Sequence, residues 1–316
     1  MQDLELDLFL RVRRFSRWAV VITIVLSLIF SQFIESSDIT WQVIVALLAL
    51  AIGIPHGALD HLVTLPRTSI LKMALFISLY IAVAIAAVMA ILYWNVAGFI
   101  VVVVMSALHF GVGDAAYISE IDRRKGTPGS SLKFTYASAA GTIPVVIPLV
   151  SSKSTAALEK VNSELINWHQ GLASELFLFV LLIGGYSLLR LLQKRRYSDV
   201  IDLALLALLA VVAPPLVAFA VYFGCWHAMR HTARLTLALP SSQLAFEDGK
   251  AGRAFFRAVI PGTPALVGTL IIAVVIIIAR GDQINDQLLW ILLVVVWALT
   301  VPHMAVTARL DRKALT

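Results

Sequence analysis

The residues of this chain best suited to chemistry are histidines in apolar surroundings. Six of its seven histidines lie within long apolar segments, whereas His169 lies in a polar connection. Imidazole nitrogens suit Fe, Zn, Cu and Ni as ligands, and a buried imidazole readily stays neutral, which is the form that binds metal. The pattern therefore predicts a metal site, with His56, His61, His109, His227, His231 and His303 as the candidate ligands.

The composition indicates the kind of fold that must position these histidines. Of the 316 residues, 60% are hydrophobic and only 14% are charged, and the mean hydropathy is +0.90. A soluble domain is about half apolar and about a quarter charged. We predict an all-α, polytopic membrane helix bundle in a single domain over 1–316. Residues 1–16 form a cytoplasmic segment, 17–308 the transmembrane core and 309–316 a cytoplasmic tail.

The bundle is predicted from apolar segments of about 20 residues, the length that crosses a bilayer. We place ten spans, at 17–34, 41–63, 70–93, 97–118, 134–151, 173–193, 199–213, 216–236, 259–279 and 288–308. The division between the seventh and eighth depends on Pro214 and Pro215, which fit poorly inside one helix. The fifth span is interrupted by Gly141, Pro144 and Pro148. Eight spans result if two of the weaker segments are re-entrant.

The basic residues predict the orientation of the bundle. With a cytoplasmic N-terminus, 22 of the 25 Lys and Arg residues fall in segments assigned to the inside. This asymmetry follows the positive-inside rule. It favours ten spans in the cell (inner) membrane, with both termini in the cytoplasm. The net charge of +6 thus reports topology, and no nucleic-acid partner is expected.

The histidines on four parallel spans are expected at one depth. His56, His109, His227, His231 and His303 lie between five and nine residues from the predicted cytoplasmic ends of their spans. At 1.5 Å per residue they occupy a layer roughly 6 Å deep. The pair at 227 and 231 projects from nearly the same helix face and can chelate one ion. Ionisable residues inside membranes tend to be functional.

Neighbouring polar residues are candidates for supporting roles. Asp60 follows His56 by four residues and Asp114 follows His109 by five, so each could accept a hydrogen bond from a metal-bound ring. Either carboxylate could instead pair with a nearby arginine; the candidates are Arg230 and Arg234. His61 lies about 140° around a regular helix from His56 and is less suited to the same ion. His303 is the stronger candidate for a further ligand of the same ion.

Apolar side chains near the histidines in sequence could line a substrate site. They are Phe110, Tyr117, Tyr222, Phe223, Trp226 and Met304. Most aromatic residues in spans are core or interface residues, but a hydrophobic substrate would need a lining of this kind.

The motifs "PHGALDH", "HFGVGD", "WHAMRH" and "VPHM", in this order, resemble those of the Brp/Blh family of membrane β-carotene 15,15′-dioxygenases over roughly residues 50–308. The resemblance implies iron-dependent cleavage of the central double bond of β-carotene by O₂ into two molecules of retinal. It places the family's four Fe(II)-linked histidines on His56, His109, His227 and His231. A microbial rhodopsin would be a recipient of the product.

That chemistry agrees with the residues. Four imidazoles would leave two positions of a six-coordinate iron open, and a substrate dissolved in the lipid bilayer could enter between spans. The main alternative is a membrane transporter or metal permease, which also uses intramembrane histidines and broken helices. Bis-histidine haem binding is a remote option. A retinal-binding photoreceptor fits poorly because no lysine lies in mid-membrane.

Overall fold

The computed structural model describes residues 1–31, 33, 39–60, 62, 69–127, 132–268, 271 and 286–316, and these residues include no β-strand. The first helices are α1 (Gln2–Phe30), α2 (Thr40–Gly57), α3 (Ile70–Tyr93), α4 (Asn95–Arg124), α5 (Lys133–Val150), α6 (Thr155–Val161), α7 (Ala173–Gln193) and α8 (Tyr197–Val212). They are followed by α9 (Pro215–Val221), a π-helix (Tyr222–Ala228), α10 (Met229–Leu235), α11 (Pro240–Glu247), α12 (Ala251–Val259) and α13 (Asp286–Leu315).

Among the described residues, five helices are long and apolar enough to cross a membrane. They are α3, α4, α5, α7 and the Leu293–Leu315 part of α13, and they overlap the predicted spans 70–93, 97–118, 134–151, 173–193 and 288–308. The all-α class is therefore confirmed. The fifth span was expected to be interrupted. It is one continuous helix, α5, which contains both Pro144 and Pro148. Residues 269–270 and 272–279 of the ninth predicted span lie outside the described residues.

The predicted break at the two prolines is present. Helix α8 ends at Val212, and α9 begins at Pro215. Proline is well suited to the first position of a helix, where its missing N–H has no intrahelical partner to lose. From Pro215 the chain continues as α9, the π-helix and α10 without a break in helical backbone.

Helices α4 and α5 cross closely through small residues. A Cβ atom on Gly111 would lie 2.0 Å from the carbonyl oxygen of Ala137, and one on Gly141 would lie 1.9 Å from that of Ala107. Only residues without a Cβ allow the two backbones this approach, which is how small residues pack helices in membranes. The crossing fixes the part of α4 that carries His109.

The N-terminal half of α1 is bound into the bundle by buried ion pairs. Asp202 on α8 accepts hydrogen bonds from three arginines: Arg13 at 3.0 Å, Arg17 at 2.6 Å and Arg230 at 3.1 Å. Leu8 and Phe9 of the same helix are buried in the core. Because Arg230 belongs to α10, the network ties α1 and α8 to the segment that carries two of the histidines.

Candidate metal centre

Five histidine rings converge in the interior of the bundle. They are His56 on α2, His109 on α4, His227 on the π-helix, His231 on α10 and His303 on α13, and all five are buried. The ring centroid of His109 lies 4.9 Å from that of His227 and 5.2 Å from that of His303. The ring of His56 lies 5.2–5.6 Å from His227, His231 and His303. The residues predicted to share a depth are therefore neighbours in space.

His61, the remaining candidate, lies outside the described residues. His169 lies far along the chain in the connection before α7, where its Nδ1 accepts a hydrogen bond from the backbone N–H of Gly171.

The π-helix sets the relation between His227 and His231. A π-helix has a wider turn than an α-helix and is often found at functional sites. The two rings lie 6.0 Å apart with their planes only 23° from parallel. Both of them face His56, so the pair contributes two rings to one side of the cluster.

Two glycines, Gly53 and Gly113, lie beside rings of the cluster. A Cβ on Gly53 would lie 2.1 Å from the ring of Phe223, so this glycine allows Phe223 to lie against His56, at a centroid distance of 5.8 Å. A Cβ on Gly113 would lie 3.4 Å from the ring of His227. Gly53 is therefore needed for this packing, whereas the contact at Gly113 would be an ordinary van der Waals contact.

Several ring nitrogens in the cluster have no partner among the described residues. Nδ1 of His56 makes a short contact with the carbonyl oxygen of Gly53, and Nδ1 of His303 contacts both carboxylate oxygens of Asp60 at 2.9 Å. The buried nitrogens without a hydrogen bond are Nε2 of His109, His227 and His303 and both nitrogens of His231. An unpaired buried polar atom lowers the stability of a fold by about 1–3 kcal/mol. So many unpaired nitrogens in one cluster therefore point to a ligand.

Asp60 supports His303. Helix α2 ends at Gly57, and Asp60 follows it after a two-residue turn. Its carboxylate contacts Nδ1 of His303 and accepts a hydrogen bond of 3.0 Å from the hydroxyl of Tyr80. A carboxylate behind an imidazole orients the ring and leaves Nε2 for a metal.

Asp114 pairs with an arginine, the second of the two roles considered for it. It accepts hydrogen bonds from Arg230 at 2.8 Å, Trp226 at 3.2 Å and Tyr136 at 3.0 Å. The guanidinium of Arg230 also lies 3.6 Å from the ring centroid of Trp226. Neither Asp114 nor Arg230 has a hydrogen bond to a histidine among these contacts, so both act in the packing of α4 against the π-helix and α10.

The predicted lining residues divide into two groups. The ring of Phe110 lies 4.5 Å from that of His227, and Phe223 contacts His56 and His227. The polar ends of Tyr117, Tyr222 and Trp226 are bonded to the carbonyl of Phe9, the carbonyl of Ala140 and Asp114, respectively. Met304 is half-buried on α13. Phe110 and Phe223 are therefore the lining residues at the cluster.

Sequence reasoning missed three features of the site. Tyr80 lies in the middle of an apolar span with no motif around it, and only its hydroxyl bond to Asp60 reveals it. Phe219 stacks on Phe223 at 5.9 Å, which its spacing of four residues could have indicated. An apolar cavity beside Phe219 has no signal in the sequence, because its walls come from separate helices.

The cluster has the dimensions of a metal site. Rings bound to one ion through metal–nitrogen bonds of about 2.1 Å have centroids about 4.6 Å apart at right angles and about 5.3 Å apart in a tetrahedral set. The observed neighbours lie 4.9–6.0 Å apart. As the side chains stand, no three His, Cys, Asp or Glu side chains of the described residues have their donors arranged to hold an ion. Rotation of a histidine ring about its Cβ–Cγ bond redirects both nitrogens and leaves the ring centroid nearly in place.

The part of the chain that the structure describes is all-helical, with five helices suited to a membrane and a buried cluster of histidines. Residues 47–311 match the sequence profile of a family described as "Beta-carotene 15,15'-dioxygenase". The chain belongs to this family.

A curated relative carries the same description. It is the "Beta-carotene 15,15'-dioxygenase" of Uncultured marine bacterium 66A03, which is 28% identical over 195 residues. The match covers 58% of this chain and 66% of the relative, just under two thirds of its length. No solved structure matches the chain.

Proposed function

We propose that this protein cleaves the central double bond of β-carotene with O₂ and releases two molecules of retinal. The observation that carries the proposal is the convergence of five buried imidazoles with unpaired nitrogens in a chain of the β-carotene dioxygenase family. Such a set of neutral nitrogen donors suits Fe(II). The name of the relative supports the same substrate.

In the proposed site, His56, His109, His227 and His231 hold Fe(II), and His303 is a fifth candidate donor oriented by Asp60. The bound iron supplies the oxygen chemistry. The residues of the chain do the rest. Phe110 and Phe223 lie against the rings and exclude water, and an apolar wall of this kind can position a polyene so that its central bond lies at the cluster.

The proposed setting is a cell (inner) membrane, crossed by ten spans with both termini in the cytoplasm, as the distribution of basic residues favours. Five of the ten segments have the length and polarity of spans in the described residues. The substrate dissolves in the lipid bilayer and reaches the cluster between helices. A microbial rhodopsin is the proposed recipient of retinal.

The test is expression in bacteria that make β-carotene. We expect the orange colour to fade and retinal to appear in the extract. His227→Ala should abolish retinal formation, because it removes a ring that contacts three others in the cluster. The matched control is His169→Ala, which lies outside the cluster and should cleave carotene as the unaltered chain does.

Two outcomes would contradict the proposal. Unchanged β-carotene from a well-expressed, iron-loaded protein would favour transport through the same histidines. Full cleavage by His227→Ala would remove this residue from the ligand set.

A further inference from the structure

An apolar cavity of about 110 Å³ lies between α4, α5, α6, α9 and α13. Its walls are aliphatic and aromatic apart from two serines, Ser106 and Ser154. The hydroxyl of Ser154 is already bonded to the carbonyl oxygens of Leu149 and Ser151. A polar ligand would find few partners here, so the cavity suits a hydrocarbon.

A row of stacked rings leads from this cavity to the histidines. Phe219 lines the cavity and stacks on Phe223 at 5.9 Å with planes 10° apart. Phe223 in turn stacks on His227 at 6.4 Å, and His227 on His231 at 6.0 Å. The four rings are spaced four residues apart and form one continuous aromatic face. On α4, Ser106 of the cavity wall is three residues, about 4.5 Å along the axis, from His109.

We propose that the cavity holds one end ring of the carotenoid, and that Phe219 and Phe223 lie along the polyene between this ring and the histidine cluster. The two stacking steps from His227 to Phe219 cover a length comparable with one arm of the substrate. This inference rests on the proposed function and adds to it the part of the protein that selects the end group.

The apolar wall also predicts which end groups are accepted. A hydroxyl group on the ring would lose its water on entering the cavity and meet a wall of hydrocarbon, and burial without a hydrogen bond is costly. Carotenoids with unsubstituted rings should therefore bind better than carotenoids with hydroxylated rings. A bilayer also contains lipid acyl chains, which share the apolar chemistry, so the test must separate the two occupants.

The test measures binding without oxygen, so that the iron-loaded full chain keeps its substrate intact. Ala157 is buried in the cavity wall, and Ala157→Leu fills the space with three additional carbon atoms. Ala86 is exposed on the outer face of α3, so Ala86→Leu is the matched control. Binding of β-carotene is measured by the circular dichroism that it acquires in the protein. We expect Ala157→Leu to weaken this binding by about tenfold or more, because the larger side chain overpacks the cavity. The control should bind as the unaltered chain does.

A second variant covers the case in which Ala157→Leu does not fold. Leu216 lines the cavity but is only half-buried, so Leu216→Phe can be accommodated in the bundle while narrowing the space. We expect the same loss of β-carotene binding. A hydroxylated carotenoid should bind the unaltered chain about tenfold more weakly than β-carotene.

Equal β-carotene binding by folded Ala157→Leu or Leu216→Phe and the unaltered chain would overturn the inference. So would native mass spectrometry in which these variants lose a bound phospholipid and keep their affinity for β-carotene, since the cavity would then hold an acyl chain. The proposed function is tested separately by admitting O₂ to the unaltered chain. If the unaltered chain forms retinal and the variants bind β-carotene as well as it does, the cavity is not the binding site for the end ring, but the proposed reaction still holds.

Discussion

Replacing Asp60 by asparagine tests whether His303 is a ligand of the proposed iron. The carboxylate is buried and lies 2.9 Å from Nδ1 of His303, whose Nε2 has no hydrogen bond among the described residues. If this Nε2 binds iron, loss of the charge behind the ring should lower iron affinity by about 10–100-fold. That range corresponds to about 1.4–2.7 kcal/mol of binding free energy.

Tyr80→Phe is the matched control for this prediction. It removes the 3.0 Å hydrogen bond to Asp60 but leaves the carboxylate in contact with His303. A hydrogen bond to a charged group contributes about 1.5–3 kcal/mol to stability. We therefore expect a lower unfolding temperature for Tyr80→Phe and an iron affinity within about threefold of that of the unaltered chain.

The assay is iron titration of the solubilised protein against a competing chelator, with thermal unfolding measured in parallel. Asp60→Asn should retain its fold and lose iron at chelator concentrations that the unaltered chain withstands. Unchanged iron affinity in both Asp60→Asn and His303→Ala would refute the reasoning, because His303 would then be outside the ligand set. An equal loss in Tyr80→Phe would refute it too, since the effect would then come from general loosening.

Two further predictions concern the bundle. Gly111→Ala should lower the free energy of unfolding by about 1–3 kcal/mol or more, because its Cβ would lie 2.0 Å from the carbonyl oxygen of Ala137. Gly185→Ala should be neutral or stabilising by up to about 1 kcal/mol, because nothing lies within 4 Å of that Cβ. Asp202→Asn should destabilise by about 3–5 kcal/mol, because it leaves buried arginines short of their counter-charge. Arg11→Ala breaks an exposed pair with Asp7 and should cost less than about 1 kcal/mol.

Thermal unfolding in one detergent provides the measurement for all four variants. Equal unfolding temperatures for the two glycine variants would show that α4 and α5 tolerate separation. Equal values for Asp202→Asn and Arg11→Ala would show that the buried network adds no more to stability than a surface pair.

The long apolar helices could be predicted from the sequence because their signal is local. Spans 70–93 and 173–193 agree with helices Ile70–Tyr93 and Ala173–Gln193. The break before Pro215 was also predictable, since proline restricts its own backbone whatever surrounds it. The fifth span was underestimated, because the cost of prolines inside a helix depends on packing against neighbours. In α5 this packing is supplied in part by the crossing with α4.

The histidine residues of the site could be predicted from their depth, but their partners could not. Depth follows from counting residues along each helix, and it predicts one layer for His109 and His303, whose rings lie 5.2 Å apart. The partner of Asp60 depends on which helix packs beside it. The carboxylate contacts His303, on a helix more than 240 residues away in sequence.

By itself, the sequence determined the helical class, the membrane-like polarity and the candidate ligands, because each depends on residue type and on spacing within one segment. Tertiary structure alone decided that five rings meet, that Asp60 supports His303 and that a cavity opens beside Phe219. The physical reason is that these features join different helices. Their geometry depends on crossing angles and helix ends, which follow from packing across the whole bundle.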